Sequence, residues 1–328
     1  MAQERQPGGR CIDVCNGDAD GLCAVLQWRL HHPAPATLVT GLKREIELLE
    51  RLYAKPGDDL LVCDISMARN RRALLRLLAQ GAHVRYFDHH AVDDVPVHPN
   101  LESHIELGAG VCTSLLMDRH LGGAYRPWAL VGAYGDNLGE SADALASSAG
   151  LGREQRARPR QLGEAINCNA YGEDEADLHI TPVRLYAIMA RYRDPLELLA
   201  HEPVAAELDA LRRADLEQAV ALPPHRQDDR GRVHLLPDAP WSRRVNGSLA
   251  NQLARMQPTR SHAVLKILRD GGYLVSVRAP RVCASGANEL CSRFGGAGRA
   301  AAAGIDRLPA AELEHLIREF AVARWEAR

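Results

Sequence analysis

The chain has 328 residues, enough for two domains with a core in each. Its 46% apolar, 25% charged and 5% aromatic content is that of an ordinary globular protein, and a formal charge of −2 supplies no overall basic field, so contact with nucleic acid must come from a local patch. No long uncharged apolar run is present, and Met1 to Gly8 carries no apolar signal segment, so a cytoplasmic location and no membrane partner are expected by default.

From Arg10 to about His90 the chain alternates strand-like and helix-like segments. The apolar run Cys11-Ile12-Asp13-Val14-Cys15 leads into Asn16-Gly17-Asp18-Ala19-Asp20-Gly21, and the apolar residues from Leu22 to Leu30 then recur at helical spacing. Strand, turn and helix follow in that order, with Gly17 and Gly21 expected to let the backbone bend tightly. Asp18 and Asp20 can project into one crevice where a cation would sit, although Asp-x-Asp-Gly is also ordinary turn chemistry. Further strand-like runs are Thr37 to Thr40, Leu60 to Asp64 and His83 to Phe87. This alternation predicts an α/β fold with a parallel sheet, helices on both faces, and ligands at the carboxyl ends of the strands.

Charged groups gather at those expected ends. Asp64 closes Leu60-Leu61-Val62-Cys63, Asp88-His89-His90 follows Val84-Arg85-Tyr86-Phe87, and Asp136 follows the apolar Trp128-Ala129-Leu130-Val131. Asp18, Asp20, Asp64, Asp88, His89, His90 and Asp136 are therefore expected at successive strand ends on one rim. Carboxylates joined by one or two imidazoles suit a hard to borderline divalent ion such as Mn²⁺ or Mg²⁺. Each acid taken singly is equally well a helix cap or a turn residue, and it is their joint spacing that points to a site.

The remaining stretches carry less chemistry. Eight cysteines are scattered without Cys-x-x-Cys spacing, which favours buried reduced thiols over a zinc site or redox pair. Thr113-Ser114 reads as a helix start, and Asn167-Cys168-Asn169-Ala170-Tyr171-Gly172 as a polar loop with no assigned role. The amphipathic run from Pro195 to about Leu222 predicts one helix bridging two domains, Leu222 to Gly231 reads as a linker or exposed turn, and Val233-His234-Leu235-Leu236 starts the second domain. The expected boundaries are 9–195, 196–231 for the bridge and linker, and 232–328. His104, His179, His225, His234 and His262 read as surface or satisfied core histidines. Arg243, Arg244, Arg255 and Arg260 either line a groove between domains or lie on a solvated helix face, and so modest a basic supply suits a short oligonucleotide or dinucleotide better than a long duplex.

Near the end, Tyr273 to Val277 reads as a strand closing in Arg278. In Phe294-Gly295-Gly296-Ala297-Gly298-Arg299, followed by Ala300 to Ala303 and Gly304, the glycines let backbone amides approach a phosphate, and the alanines can pack a helix whose N-terminus favours an anion.

In order, Asn16 to Gly21, Asp64 within Val62-Cys63-Asp64-Ile65-Ser66, Asp88-His89-His90, and Gly135-Asp136-Asn137 resemble the four motifs of the DHH phosphoesterases, a superfamily that includes RecJ-type exonucleases, short-oligonucleotide ribonucleases and cyclic dinucleotide phosphodiesterases. The glycine stretch from Phe294 is similar to the signature of the DHH-associated substrate domain, which also places a phosphate-binding group where Arg278 stands. The resemblance implies two divalent ions, manganese or magnesium: Asp64 bridging them, Asp18 on one, and Asp20, His89 and Asp136 on the other. It further implies His90 facing the scissile phosphate and Asp88 orienting its neighbours, with Arg278, Gly295, Gly296, Gly298 and Arg299 holding substrate phosphates.

Two departures accompany the likeness. Val14 stands where many members carry a metal-ligating histidine, which leaves the first ion short of a ligand unless Asn16 or water substitutes; Ala297 and Arg299 replace a glycine and a histidine of the terminal signature. The function implied is hydrolysis of phosphodiester bonds in short oligonucleotides or another nucleotide-type substrate, with homo-oligomerisation left open. The alternatives are a nucleotide-binding regulatory protein with little or no turnover, and a phosphomonoesterase or pyrophosphatase on the same residues.

Overall fold

The structure, a computed structural model, describes residues 9–325; Met1 to Gly8, read above for a signal segment, and residues 326–328 of the second expected domain lie outside the described residues. β1 (Cys11–Asn16), α1 (Ala19–His31), β2 (Ala36–Gly41), β3 (Asp59–Cys63), α2 (Met67–Ala79), β4 (His83–Asp88) and β5 (Leu101–Ile105) follow in chain order. Their strands form an all-parallel sheet in the order β2-β1-β3-β4-β5. From β1 the chain passes to β2 on one side and returns to β3 on the other, and such a reversal opens a crevice at the carboxyl ends of β1 and β3.

Parallel strands need cover on both faces, and the side chains divide accordingly. Cys15, Leu61, Cys63 and Phe87 pack on the face covered by α1, while Ile12, Val14, Leu60, Val62, Val84 and Tyr86 pack with Leu74 and Leu77 of α2 and with Leu48 and Leu49 of a short 3-10 turn. Val14, at 0% exposure, is thus a core residue of the α2 face. β5 was not expected, because Leu101-Glu102-Ser103-His104-Ile105 is an edge strand with a largely polar, exposed pattern and no apolar run.

A helical layer follows: α3 (Thr113–His120), α4 (Arg126–Gly135), α5 (Gly139–Ser148), α6 (Arg153–Asn169), α7 (Pro182–Met189) and α8 (Pro195–His201). Trp128 to Val131, expected to precede a strand end, lies inside α4, so Asp136 caps a helix instead. The segment is apolar on every side because α4 is buried between α1, α3 and α6, and an all-round apolar helix cannot be told from a buried strand by periodicity. Fully buried Trp128 contributes roughly 1.5–3 kcal/mol through its burial, and its Nε1 donates to Arg193 O at 3.0 Å.

The single helix expected from Pro195 is two, α8 and α9 (Pro203–Ala221), interrupted at Glu202; Pro203 has no N–H to continue α8 and is suited to open α9. The chain divides into two compact units between Ala210 and Leu211, inside α9. Among the described residues no helix is long and apolar enough to cross a membrane, and all eight cysteines are free.

The second unit contains β6 (Arg226–Gln227), β7 (Gly231–Leu236), α10 (Pro240–Met256), β8 (Ser261–Ile267), β9 (Tyr273–Arg278), α11 (Ala287–Ser292), β10 (Ala297–Gly298), β11 (Ala302–Leu308) and α12 (Leu313–Val322). Its mixed sheet runs β10-β11-β9-β8-β7-β6, with β7 and β8 parallel across the α10 connection and the other pairs antiparallel. Val233, Ala263, Leu265, Val275, Val277 and Ile305 pack against α11 and α12. The alanines after Arg299 do not begin a helix: Arg299 to Ala301 form the turn between β10 and β11, and pairing of Ala302 and Ala303 with Arg278 and Val277 of β9 overrides alanine's helical preference. His234 and His262 are buried in β7 and β8, where desolvation lowers both pKa values, that of His234 to about 4.

Candidate metal and catalytic site

At the reversal between β1 and β3, Asp18 is the N-cap of α1, its Oδ1 accepting from Gly21 N at 3.0 Å. Gly17 and Gly21 are needed for close approach rather than for an unusual turn, since neither has a positive φ and a Cβ on them would meet Gly41 O at 2.0 Å and Asn16 O at 2.3 Å. Asp64, with φ 57°, and Asn137, with φ 63°, are the strained non-glycine positions among the described residues, in a left-handed conformation that costs about 1–2 kcal/mol each. Asp64 turns the chain at the end of β3, where its N donates to Phe87 O at 3.0 Å.

Asp20 reaches across to α3. Its two carboxylate oxygens accept from Thr113 N at 2.8 Å and Ser114 N at 2.7 Å, while Ser114 Oγ donates to Asp20 O at 2.7 Å. Thr113-Ser114 is a helix start as expected, but Cys112 holds the cap position and a carboxylate from another element satisfies the amides. Thr113 Oγ1 donates to Asp64 Oδ1 at 3.2 Å.

His89 brings these acids together. Its Nε2 lies 3.3 Å from Asp64 Oδ1 and 3.9 Å from both Asp20 Oδ2 and Asp136 Oδ2. Asp136 reaches this point from the C-cap of α4. Ligand atoms of Asp20, His89 and Asp136 lie within 4.8 Å of one another, as do those of Asp64, His89 and His90. Beside them, fully buried Asp88 uses Oδ1 to accept from His89 N at 2.9 Å and from His90 N at 3.3 Å, and the same oxygen lies 2.6 Å from His90 Nδ1; Oδ2 accepts from Met67 N at 3.2 Å. Burial disfavours the His90 imidazolium, yet the hydrogen bond and charge of Asp88 raise its pKa above the ordinary value.

Lys43, which no motif suggested, occupies the Asp18 side. Its Nζ is ion-paired with Asp18 Oδ2, donates to Asn167 Oδ1 at 2.9 Å, and lies 3.9 Å from Asp136 Oδ1 and 5.7 Å from the centre of the Tyr171 ring. Lys43 N donates to Ala170 O at 2.9 Å. Asn167 to Asn169 therefore end α6 beside the site instead of forming a loop. The available signal was position: Lys43 follows β2, at the same strand-end level as the expected acids.

Burial pushes Asp64 well above the usual carboxylate range, reinforced by Asp20, Asp18 and Asp136. Burial also raises Asp136 to about 6, with Asp20 and Asp18 adding and Lys43 and His89 opposing. For Asp18 burial is outweighed by Lys43 together with the hydrogen bonds of Gly21 and Asp64, which lowers its pKa; at Lys43 burial is outweighed by Asp18, Tyr171, Asp136 and Asp64 together, which raises that of the ammonium. A surplus of buried carboxylate around one imidazole fits a divalent ion held by Asp20, Asp64, His89 and Asp136. The Asp18 side does not fit a second ion in the same way, because the Lys43 ammonium, ion-paired with Asp18 and 3.9 Å from Asp136, already places a positive charge there.

The expected phosphate-binding residues lie in the second unit. Arg278 ends β9, with Nε donating to Asn251 Oδ1 at 2.7 Å. Ala302 pairs with Arg278, which puts the turn carrying exposed Arg299 at the same end of that sheet. Gly295 and Gly298 have φ of 75° and 146°, and a Cβ on Gly296 would meet Gly304 O at 2.3 Å, so all three positions suit glycine. Arg243 and Arg244 are buried and pair with Asp238 and Asp215.

No family model and no curated protein matches the sequence. Among solved structures, the chain is similar to a DHH-domain protein from a family of ribosomal proteins at 13% identity, with a TM-score of 0.62 over 95% of this chain and 86% of that one. It is similar to exonuclease RecJ bound to manganese at 19% identity, with a TM-score of 0.57 over 97% and 91% of the two chains. For the pGpG-specific phosphodiesterase PggH of Vibrio cholerae the figures are 16%, 0.53, 94% and 96%. The fold is therefore the α/β fold of DHH-domain proteins followed by a second domain.

Proposed function

We propose that this chain is a divalent-metal-dependent phosphodiesterase of the DHH type, acting on a short oligonucleotide or a dinucleotide. The observation that carries the reading is His89 Nε2, set within 3.9 Å of three carboxylates that reach it from α1, β3 and α4. RecJ and PggH, which share the fold, are named for action on phosphodiesters, and RecJ structures hold manganese or magnesium.

Asp20, Asp64, His89 and Asp136 would hold the ion. Once bound it supplies Lewis-acid charge at a phosphate oxygen and lowers the pKa of a water molecule. His90 is oriented by Asp88 through Nδ1, which leaves Nε2 of a 40% exposed side chain to bind a phosphate oxygen or to give a proton to the leaving oxygen. Arg278 and Arg299 suit the remaining phosphates, since a guanidinium can grip them bidentately.

The test is hydrolysis of short RNA, short DNA and linear and cyclic dinucleotides with and without manganese. Manganese-dependent cleavage that disappears in Asp64→Ala and His89→Ala is the expected result. Tight binding of a dinucleotide with no cleavage of any substrate would favour the regulatory alternative, for which Val14 in the core and Lys43 on Asp18 already speak.

A further inference from the structure

Lys43 has a consequence for the ion count. A two-ion phosphodiesterase site sets its cations about 3.5–4 Å apart, with carboxylates shared between them. Here the position next to Asp18 already contains a cation. Lys43 Nζ is paired with Asp18, hydrogen-bonded to Asn167 at 2.9 Å, and 3.9 Å from Asp136, while Asp136 Oδ2 is in turn 3.9 Å from His89 Nε2. The ammonium thus lies on one side of Asp136 and the imidazole on the other.

The ligand supply agrees with this placement. Asp20 has only neutral amides on its oxygens, whereas Asp18 is paired with the Lys43 ammonium, and Val14 is buried in the opposite face of the sheet. Asn16 Oδ1, buried without a hydrogen-bond partner among the described residues, is a neutral donor, weaker toward a divalent ion than the carboxylate already committed to Lys43. Asn167, Tyr171 and the Ala170 carbonyl surround the lysine from the end of α6, so its position is built by a separate element. A divalent ion at the same place would face the ammonium's charge at close range.

We infer that Lys43 is a built-in cation that takes the place of the second metal, so that the site binds one divalent ion, on Asp20, Asp64, His89 and Asp136. This inference rests on the metal-dependent reading above. Lys43 then supplies a fixed positive charge beside the bound ion, where a transferring phosphate gathers negative charge.

Titration calorimetry of the metal-free full chain with manganese, together with electron paramagnetic resonance of the loaded protein, tests it. The expected result is one ion per chain with the resolved hyperfine spectrum of an isolated manganese. In Lys43→Met or Lys43→Gln, which release Asp18, a second ion binds and the spectrum shows exchange coupling. Lys43→Arg keeps the charge and stays at one ion. Two ions in the natural protein overturn the inference while leaving a metal-dependent phosphodiesterase intact, whether or not any variant folds. A single ion in folded Lys43→Met and Lys43→Gln overturns the role given to the lysine. No bound ion in the natural protein removes the metal-dependent reading itself and this inference with it.

Discussion

Asp88 and His90 meet beside the candidate site, Oδ1 to Nδ1 at 2.6 Å, with the carboxylate fully buried and the imidazole 40% exposed. The buried partner fixes the ring while its other edge stays exposed, as the role proposed for His90 requires. Replacing Asp88 by Asn removes the charge and keeps the shape. Hydrolysis is expected to fall by about 10–100-fold, the usual effect of losing a group that orients a site residue. Because Asp88 raises the His90 pKa, the alkaline limb of the pH–rate profile moves to lower pH in Asp88→Asn. An unshifted limb would show that protonated His90 takes no part.

Asp136 gives the metal-free protein a pH signature. Burial raises its pKa to about 6, so below that value an incoming ion must displace a proton. Manganese affinity measured by calorimetry is expected to fall by about tenfold per pH unit below 6 for each proton displaced. The stability effect has the opposite sense. The native state holds this proton up to about pH 6, whereas the unfolded chain releases it near pH 3.9, so acidification across that window stabilises the metal-free protein through this group. Asp136→Asn should flatten both dependences.

Arg29 and Asp13 test the fold apart from the site. Arg29 Nε and Nη2 donate to the two oxygens of Asp13 at 2.7 and 2.6 Å, and Asp13 is only 2% exposed. Arg29→Met leaves a buried carboxylate without its counter-charge and should cost about 3–5 kcal/mol in denaturant unfolding. The double variant Arg29→Met, Asp13→Leu should recover most of that loss.

Gly135 links packing to Asp136, the candidate metal ligand that follows it. A Cβ there would lie 2.4 Å from Ala19 Cβ and 2.8 Å from Gly163 O, so Gly135→Ala must push α4 away from α1 or α6. A stability loss of about 1–3 kcal/mol is expected, with weaker manganese binding because Asp136 moves with the helix end. Unchanged affinity in a destabilised protein would argue against Asp136 as a ligand.

Arg278→Ala addresses the second unit. Loss of a phosphate contact made equally in ground and transition states should raise KM by about 10-fold or more with little change in kcat. The Michaelis parameters with the best substrate of the panel check this.

Residue order and spacing by themselves determined the parallel α/β sheet, the β-strands through His83 to Phe87, and the group Asp18, Asp20, Asp64, Asp88, His89 and His90 at its carboxyl edge. These were legible because a period-breaking turn after an apolar strand is a local feature, and the sheet carries whatever follows each strand to the same rim. Tertiary contacts decided the rest. Trp128 to Val131 became a helix because it is enclosed on all sides, and Ala302 and Ala303 became strand residues because β9 offers them an edge. Above all, Lys43 sits on Asp18 because α6 returns Asn167 to the end of β2, 124 residues further along the chain, and an interaction at that separation leaves no periodic trace in the sequence.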